Sequence, residues 1–354
     1  MRNQREFAVI VALFGFGLGL ILLAQVVHAA DATTCARMIT KASAKYVQTR
    51  AKVRQKCEDA RLRGRLPAST DCEQDPSTSA ARGTARARLT RVIGNACGGG
   101  DGTCGTSDDL ARSSYGWGGV AQCPSVQGSA CAMPIETCAD VTSCLACLDE
   151  YAVGQTSTLA AGSANESAFG TASMLNRCQR VVVKATAKFL GTTAKALGRC
   201  WDARLHGQHA NACPVPGDGR TATLLARAEQ MKVTAICRAC GGVDRVCDGS
   251  NDFSPTAIGF TANCPSVTVP DGSSCAASVS TLSDLVDCVD CVATFHSRCT
   301  AAAAVPGVAV FPPECSQSGT STSTTQTPVS TTTTTTQSLA GTFLDFTTTA
   351  AGGV

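Results

Sequence analysis

Cysteine recurs in this chain at a fixed displacement. A shift of 143 residues lays Cys35 on Cys178, Cys57 on Cys200, Cys97 on Cys240 and Cys104 on Cys247. Small loop differences then match Cys72 with Cys213, Cys123 with Cys264, Cys131 with Cys275, Cys144 with Cys288 and Cys147 with Cys291. The residues between them agree: Lys41 to Cys57 reads KASAKYVQTRAKVRQKC, and Lys184 to Cys200 reads KATAKFLGTTAKALGRC. Asp-Ala-Arg-Leu-x-Gly follows from Asp59 and Asp202, and Cys-Gly-Gly-x-Asp from Cys97 and Cys240. Gly116-Trp117 answers to Gly259-Phe260, and Cys-Pro-Ser-Val opens at Cys123 and Cys264. The register is that of an internal duplication, so the fold must be one that both copies can adopt.

The cysteines also set the compartment. Twenty-two in 354 residues is a density that an oxidising periplasm or exterior uses for bracing and a reducing cytosol does not. The N-terminus agrees. Arg2 and Arg5 precede an apolar run from Phe7 to Val27, and Val27-His28-Ala29 is a small-residue site of the kind signal peptidase cuts. Residues 1–29 therefore read as a signal peptide, and the mature chain as secreted, periplasmic or cell-surface with no membrane span. The competing reading is a retained anchor helix, because the run approaches the roughly 20 residues that cross a bilayer. Aromatic residues are only 5% of the chain, so alanine-rich helix packing and cross-links must replace large aromatic anchors, at about 2–4 kcal/mol for each bridge.

The fold class expected is mainly α: two tandem disulfide-braced modules of about three helices each, then a disordered Thr-rich tail. In each copy the helices are expected at 34–63, 78–97 and 136–153, and at 177–206, 220–240 and 280–300. Cys35, Ile39, Ala42, Tyr46, Val53 and Cys57 have the three-to-four spacing of a helix. Module 1 then covers 30–154 and module 2 covers 173–315, with the Ser/Ala/Gly/Thr stretch inside 155–172 as a linker. Residues 316–338 are a Ser/Thr-rich spacer with too little apolar surface to fold. The segment 339–354, with TFLDFTTT from Thr342, reads as the start of a truncated β-rich segment.

From Cys35 to Cys315 the chain resembles the tandem Cys-rich helical modules of exported proteins from environmental Gram-negative bacteria, which often carry a Thr-rich spacer. The K-A-x-A-K stripe, the C-G-G-x-D loop and the paired C-x-x-C carry that resemblance. It implies an architecture and no activity.

Charge is laid out twice. Lys and Arg exceed Asp and Glu by 8 over residues 31–100 and fall 6 short over 101–177; the balance is then +7 over 178–240 and −6 over 241–315. Lys41, Lys45, Lys52 and Lys56 fall on one face of the first helix, and Lys184, Lys188, Lys195 and Arg199 repeat the stripe. One reading is a surface for an anionic partner such as a polysaccharide; the other is a solvated face that complements the acidic third helix of its own module. Nucleic acid is not expected, because aromatic interleaving and a strongly basic total are both lacking.

Cys144-x-x-Cys147, Cys237-x-x-Cys240 and Cys288-x-x-Cys291 are not haem-attachment motifs, because Leu148, Gly241 and Val292 stand where histidine would be needed. Structural bridging is expected of all 22 cysteines. Nine shared cysteines cannot pair among themselves alone, so each copy needs one partner from outside the set. The first copy can draw only on Cys138. The second has Cys237, Cys299 and Cys315, of which one fills the role and two can pair together. Asp101, Asp108 and Asp109 in one copy, and Asp244, Asp248 and Asp252 beside Asn251 in the other, are weak calcium candidates on glycine-rich loops. Histidine after residue 29 is confined to His206, His209 and His296 in the second copy, so no histidine site can serve both. The shared acids Asp59/Asp202 and Asp101/Asp244 read as structural. A non-enzymatic structural, binding or surface-display protein without a cofactor is expected; the alternative is a periplasmic thiol-redox or metal-binding protein using the C-x-x-C pairs.

Overall fold

A computed structural model describes residues 31–162, 174–249, 251–270, 272 and 274–316. The expected signal peptide, most of the linker, the spacer and the β-rich segment lie outside those residues. Seven helices are present among the described residues: α1 Ala32–Leu62, α2 Pro76–Cys97, α3 Cys138–Ala161, α4 Met174–Leu205, α5 Thr221–Cys240, α6 Leu282–Ala303 and the short α7 Pro313–Ser316. Strands are absent there; extended pairing is limited to isolated bridges such as Gln122 with Pro134 and Asn263 with Ser278. None of these helices is long and apolar enough to cross a membrane.

Local chemistry places the helix ends. Asp31 caps α1 by accepting from the Thr33 and Thr34 amides. Asp75 caps α2, with Pro76 occupying the first turn where its missing N–H costs nothing. Thr137 and Asp140 form a reciprocal capping box at α3, and Thr281 and Asp284 form the same box at α6. Backbone and hydroxyl donors hold the Asp284 carboxyl down at about 2. Gly98 and Gly241 follow α2 and α5 in the two copies.

The copies share one bridge pattern. Cys35–Cys97 and Cys178–Cys240 tie each first helix to the end of the second. Cys57–Cys72 and Cys200–Cys213 tie the first helix to the loop after it. Cys123–Cys144, Cys131–Cys147, Cys264–Cys288 and Cys275–Cys291 fasten the long loop to adjacent turns of the third helix. One bridge differs. Cys104 pairs with Cys138 on α3, whereas its counterpart Cys247 pairs with Cys237 on α5. The exchange is reciprocal in sequence: Gly94 stands at the place of Cys237, and Leu282 at the place of Cys138. Cys299–Cys315 is the eleventh bridge, and no cysteine is free.

The two copies do not form separate bodies joined by a linker. The described residues make one compact unit, and its largest helix–helix interface is α1 against α4. These helices run antiparallel about a pseudo-twofold axis. Arg37 faces Asp202, Gln48 faces Gly191, and Arg180 faces Asp59. Those steps are eleven residues each, three turns of helix, so the same face returns to the interface. Gln48 and Gly191 are each other's counterparts in the duplication, which puts the axis between them. The approach is close because the residues are small: a Cβ on Gly198 would lie 2.7 Å from Ala44 Cβ. The third helices add reciprocal contacts at the ends. Gly307, after α6, packs on Gly116 of the first copy, and Gly162, after α3, packs on Gly259 of the second. Gly116, Gly162 and Gly259 all have positive φ, so a side chain there would strain the backbone as well as clash.

The third helix of the first copy also outruns its expected end at residue 153. It continues to Ala161 because Thr156, Ser157, Leu159, Ala160 and Ala161 are buried, and Gln179 of α4 donates to the Ala161 carbonyl at 3.1 Å. A Ser/Thr/Ala composition looks like a linker; here it is a helix face thin enough to pack closely.

Candidate functional site

In each copy an open groove runs between the first helix and the second. The first, about 920 Å³, lies between α1 and α2. Its walls carry Ala42, Val53, Ala85, Leu89 and Val92, and its edges carry Lys41, Lys45, Arg88 and Arg91. The second, about 340 Å³, lies between α4 and α5, with Val181, Ala185, Ala228, Met231 and Ala235 on the walls and Arg177, Lys184, Lys188 and Arg238 at the edges. Lys41 corresponds to Lys184 and Lys45 to Lys188. Among the described residues no Asp or Glu lines either groove.

The helical period explains the placement. Lys41 and Lys45 are one turn apart beside Ala42 and Tyr46, so the apolar stripe that packs on α2 carries cations along its edge. Tyr46 is buried and donates to Glu150 of α3. Burial and that carboxylate push the Tyr46 phenol far above its ordinary range. In the second groove Lys232 replaces Leu89 and is itself buried. It is satisfied by Asp290 Oδ1 at 2.6 Å and by the Phe189 ring at 4.7 Å from the centroid. Burial lowers the Lys232 pKa, and Asp290 partly restores it.

All eight residues of the two expected cationic stripes are exposed. Among the described residues none of them forms an ion pair with the acidic third helix of its own module. Among the described residues only Lys41 of the eight forms an ion pair, 3.0 Å from Asp202 of the other copy. Lys45 meets the neutral Gln48. Three acids of the third helices are engaged elsewhere: Asp149 accepts from Ser43, Glu150 from Tyr46, and Asp290 from Lys232. The second-helix arginines Arg88, Arg91 and Arg238 that line the opposite edges were not singled out from sequence. The only signal for them was the local excess of positive charge, which includes the second helix.

The loop aspartates turn inward. Asp108 accepts from the Gly100 amide and from Thr106, which lowers its pKa; Asp109 accepts from the Gly105 amide, and Asp101 from the Thr103 amide. In the second copy Asp244 accepts from the Val246 amide and Asn251, and Asp252 from the Gly249 amide. These carboxylates cap turns, and among the described residues no three acids of either loop bring their oxygens within 4.8 Å of one another. Among the described residues, only Cys200, His209 and Cys213 bring three potential ligand atoms within 4.8 Å of one another. The two sulfurs there are bonded to each other, and His209 Nε2 lies 3.1 Å from the Cys200 carbonyl oxygen.

In each C-x-x-C the two sulfurs go to different partners, so none forms the internal bridge of a dithiol active site. Asp59 and Asp202 are the acids of the α1–α4 ion pairs. His296 is fully buried, edge-on to Tyr151 and Phe295. The first copy encloses an ion cluster that its twin lacks. Glu73 accepts from Arg50, Arg54 and Arg82. Thr193 and Leu197 replace Arg50 and Arg54 in the second copy.

Comparison with known protein families, with curated proteins and with solved structures gives no match for this chain.

Proposed function

We propose that this protein is an exported, non-enzymatic binding scaffold that presents two related cationic faces to an anionic ligand. One observation carries the reading: seven of the eight stripe cations are exposed and form no ion pair among the described residues, and the same helix positions repeat them in both copies. Neutralisation within the module would have placed carboxylates opposite them. The eleven bridges fit an oxidising compartment. The shared acids are occupied as inter-copy locks and turn caps, which supports a role other than proton transfer.

The test is binding to dextran sulfate against neutral dextran over a salt series. Binding to the sulfated polymer that weakens with salt, and weakens again in Lys45→Glu/Lys188→Glu, is the expected result. Equal binding to the neutral polymer, or none to the sulfated one, contradicts the reading.

A further inference from the structure

The two grooves combine features that a polyanion alone does not use. Their edges are cationic, their walls are apolar, and no carboxylate lines either among the described residues. A solvated cationic face would have no need of the apolar walls, and a purely apolar ligand would have no need of the cations. Met231 is 41% exposed in the second groove, an apolar side chain left facing water beside Lys184 and Lys188. Both volumes fall in the range of about 300–1,000 Å³ occupied by small-molecule sites.

The walls decide the head group. They are interior turns of α1, α2, α4 and α5, whose backbone N–H groups are already spent in the helices, so no nest of amides is on offer for a phosphate. Only side-chain cations strung along an edge remain, and a carboxylate between a lysine and an arginine is a head group they can hold by charge-assisted hydrogen bonds. The buried Tyr46 and Phe189 rings, 2% and 4% exposed, are not available as platforms for stacked bases.

From this we infer that each groove binds one long-chain fatty-acid carboxylate, with the chain along the apolar wall and the head group between first-helix lysines and a second-helix arginine. The inference rests on the anion-binding reading above and narrows it to a ligand class.

The full chain is titrated calorimetrically with monomeric oleate, with oleyl alcohol and with butyrate. Oleate should saturate at two molecules per chain, with oleyl alcohol and butyrate each at least about tenfold weaker, as expected for loss of a charge-assisted contact or of the buried chain. Lys45→Glu/Arg88→Glu should abolish one site, and Lys188→Glu/Arg238→Glu the other; these residues are exposed, and an unchanged melting curve confirms the fold. Equal affinity for oleyl alcohol overturns the inference, as does oleate stoichiometry that ignores both charge reversals. Binding to anionic vesicles without binding of monomeric oleate also overturns it. If dextran sulfate binds and oleate does not, this inference fails while the anion-binding reading survives; if neither binds, both fail.

Discussion

Arg180 and Asp59 lie 121 residues apart in sequence, and Arg180 Nε donates to Asp59 Oδ1 at 2.8 Å. Arg37 and Asp202 repeat the bond at 2.8 Å at the other end of the α1–α4 interface. Each pair joins one copy to the other, so the Asp-Ala-Arg-Leu motif, kept in both copies, serves the interface between them. The duplication has become an intramolecular pseudo-dimer.

Asp59→Asn and Asp202→Asn are each expected to lower stability by about 0.5–1 kcal/mol, since the pairs are partly exposed and screened. Twenty-two residues separate positions 37 and 59, about 33 Å of helix, so the double variant should show additive loss. Denaturant midpoints check this, and the effect should shrink at high salt.

Glu73→Gln should cost more, about 3 kcal/mol, because Arg50 is fully buried and Glu73 is its ion-pair partner. Arg50 Nε and Nη1 already lack hydrogen-bond partners among the described residues. The same denaturant series, compared with Asp59→Asn, measures the difference.

The exchanged bridge makes a prediction about connectivity. Introducing Gly94→Cys with Cys138→Leu copies the second module's arrangement into the first, and the new thiol should pair with Cys104. A Cβ at position 94 would lie 3.8 Å from the Cys104 amide nitrogen, within reach of a bridge, and 2.6 Å from the Gly102 oxygen, so the loop must shift slightly. Peptide mapping without reduction identifies the pairing; a free thiol on Cys104 is the contrary result.

His296 predicts an acid sensitivity. Burial holds its pKa down at about 4, against an ordinary 6.5. The unfolded chain therefore binds the proton first, and stability is lost as pH falls from about 6.5 towards 4, by about 2 kcal/mol at pH 5. Burial of Asp149 raises its pKa, which favours the folded state in acid and acts in the opposite direction. His296→Phe removes only the histidine contribution, so its stability gain over the parent should be larger at pH 5 than at pH 8 in paired thermal melts.

Much of this fold was legible because cysteine and helix periodicity are local signals. Parity named Cys138 as the outside partner in the first copy, and Cys237, Cys299 and Cys315 divide as one partner and one pair. Which cysteine meets which depends on how helices cross, and spacing alone does not fix that. The 156–161 helix was missed because small polar residues have the same composition in a loose linker and in a tight helix contact. The lysine stripes lie on exposed faces, while the grooves appear only when α2 and α5 dock and bring Arg88, Arg91 and Arg238 to the opposite edge.

The central claim is that cross-links, each of them within one copy, rather than a large aromatic core or a bound metal, hold the helices of each module in place. Its most direct test is the melting temperature of the isolated chain, untreated, after full reduction, and after chelation. Each lost bridge releases denatured-state entropy worth about 2–4 kcal/mol, so reduction should lower the melting temperature by tens of degrees, roughly, or abolish the transition. Chelation should leave it unchanged. A chain that melts on chelation and withstands reduction would contradict the account.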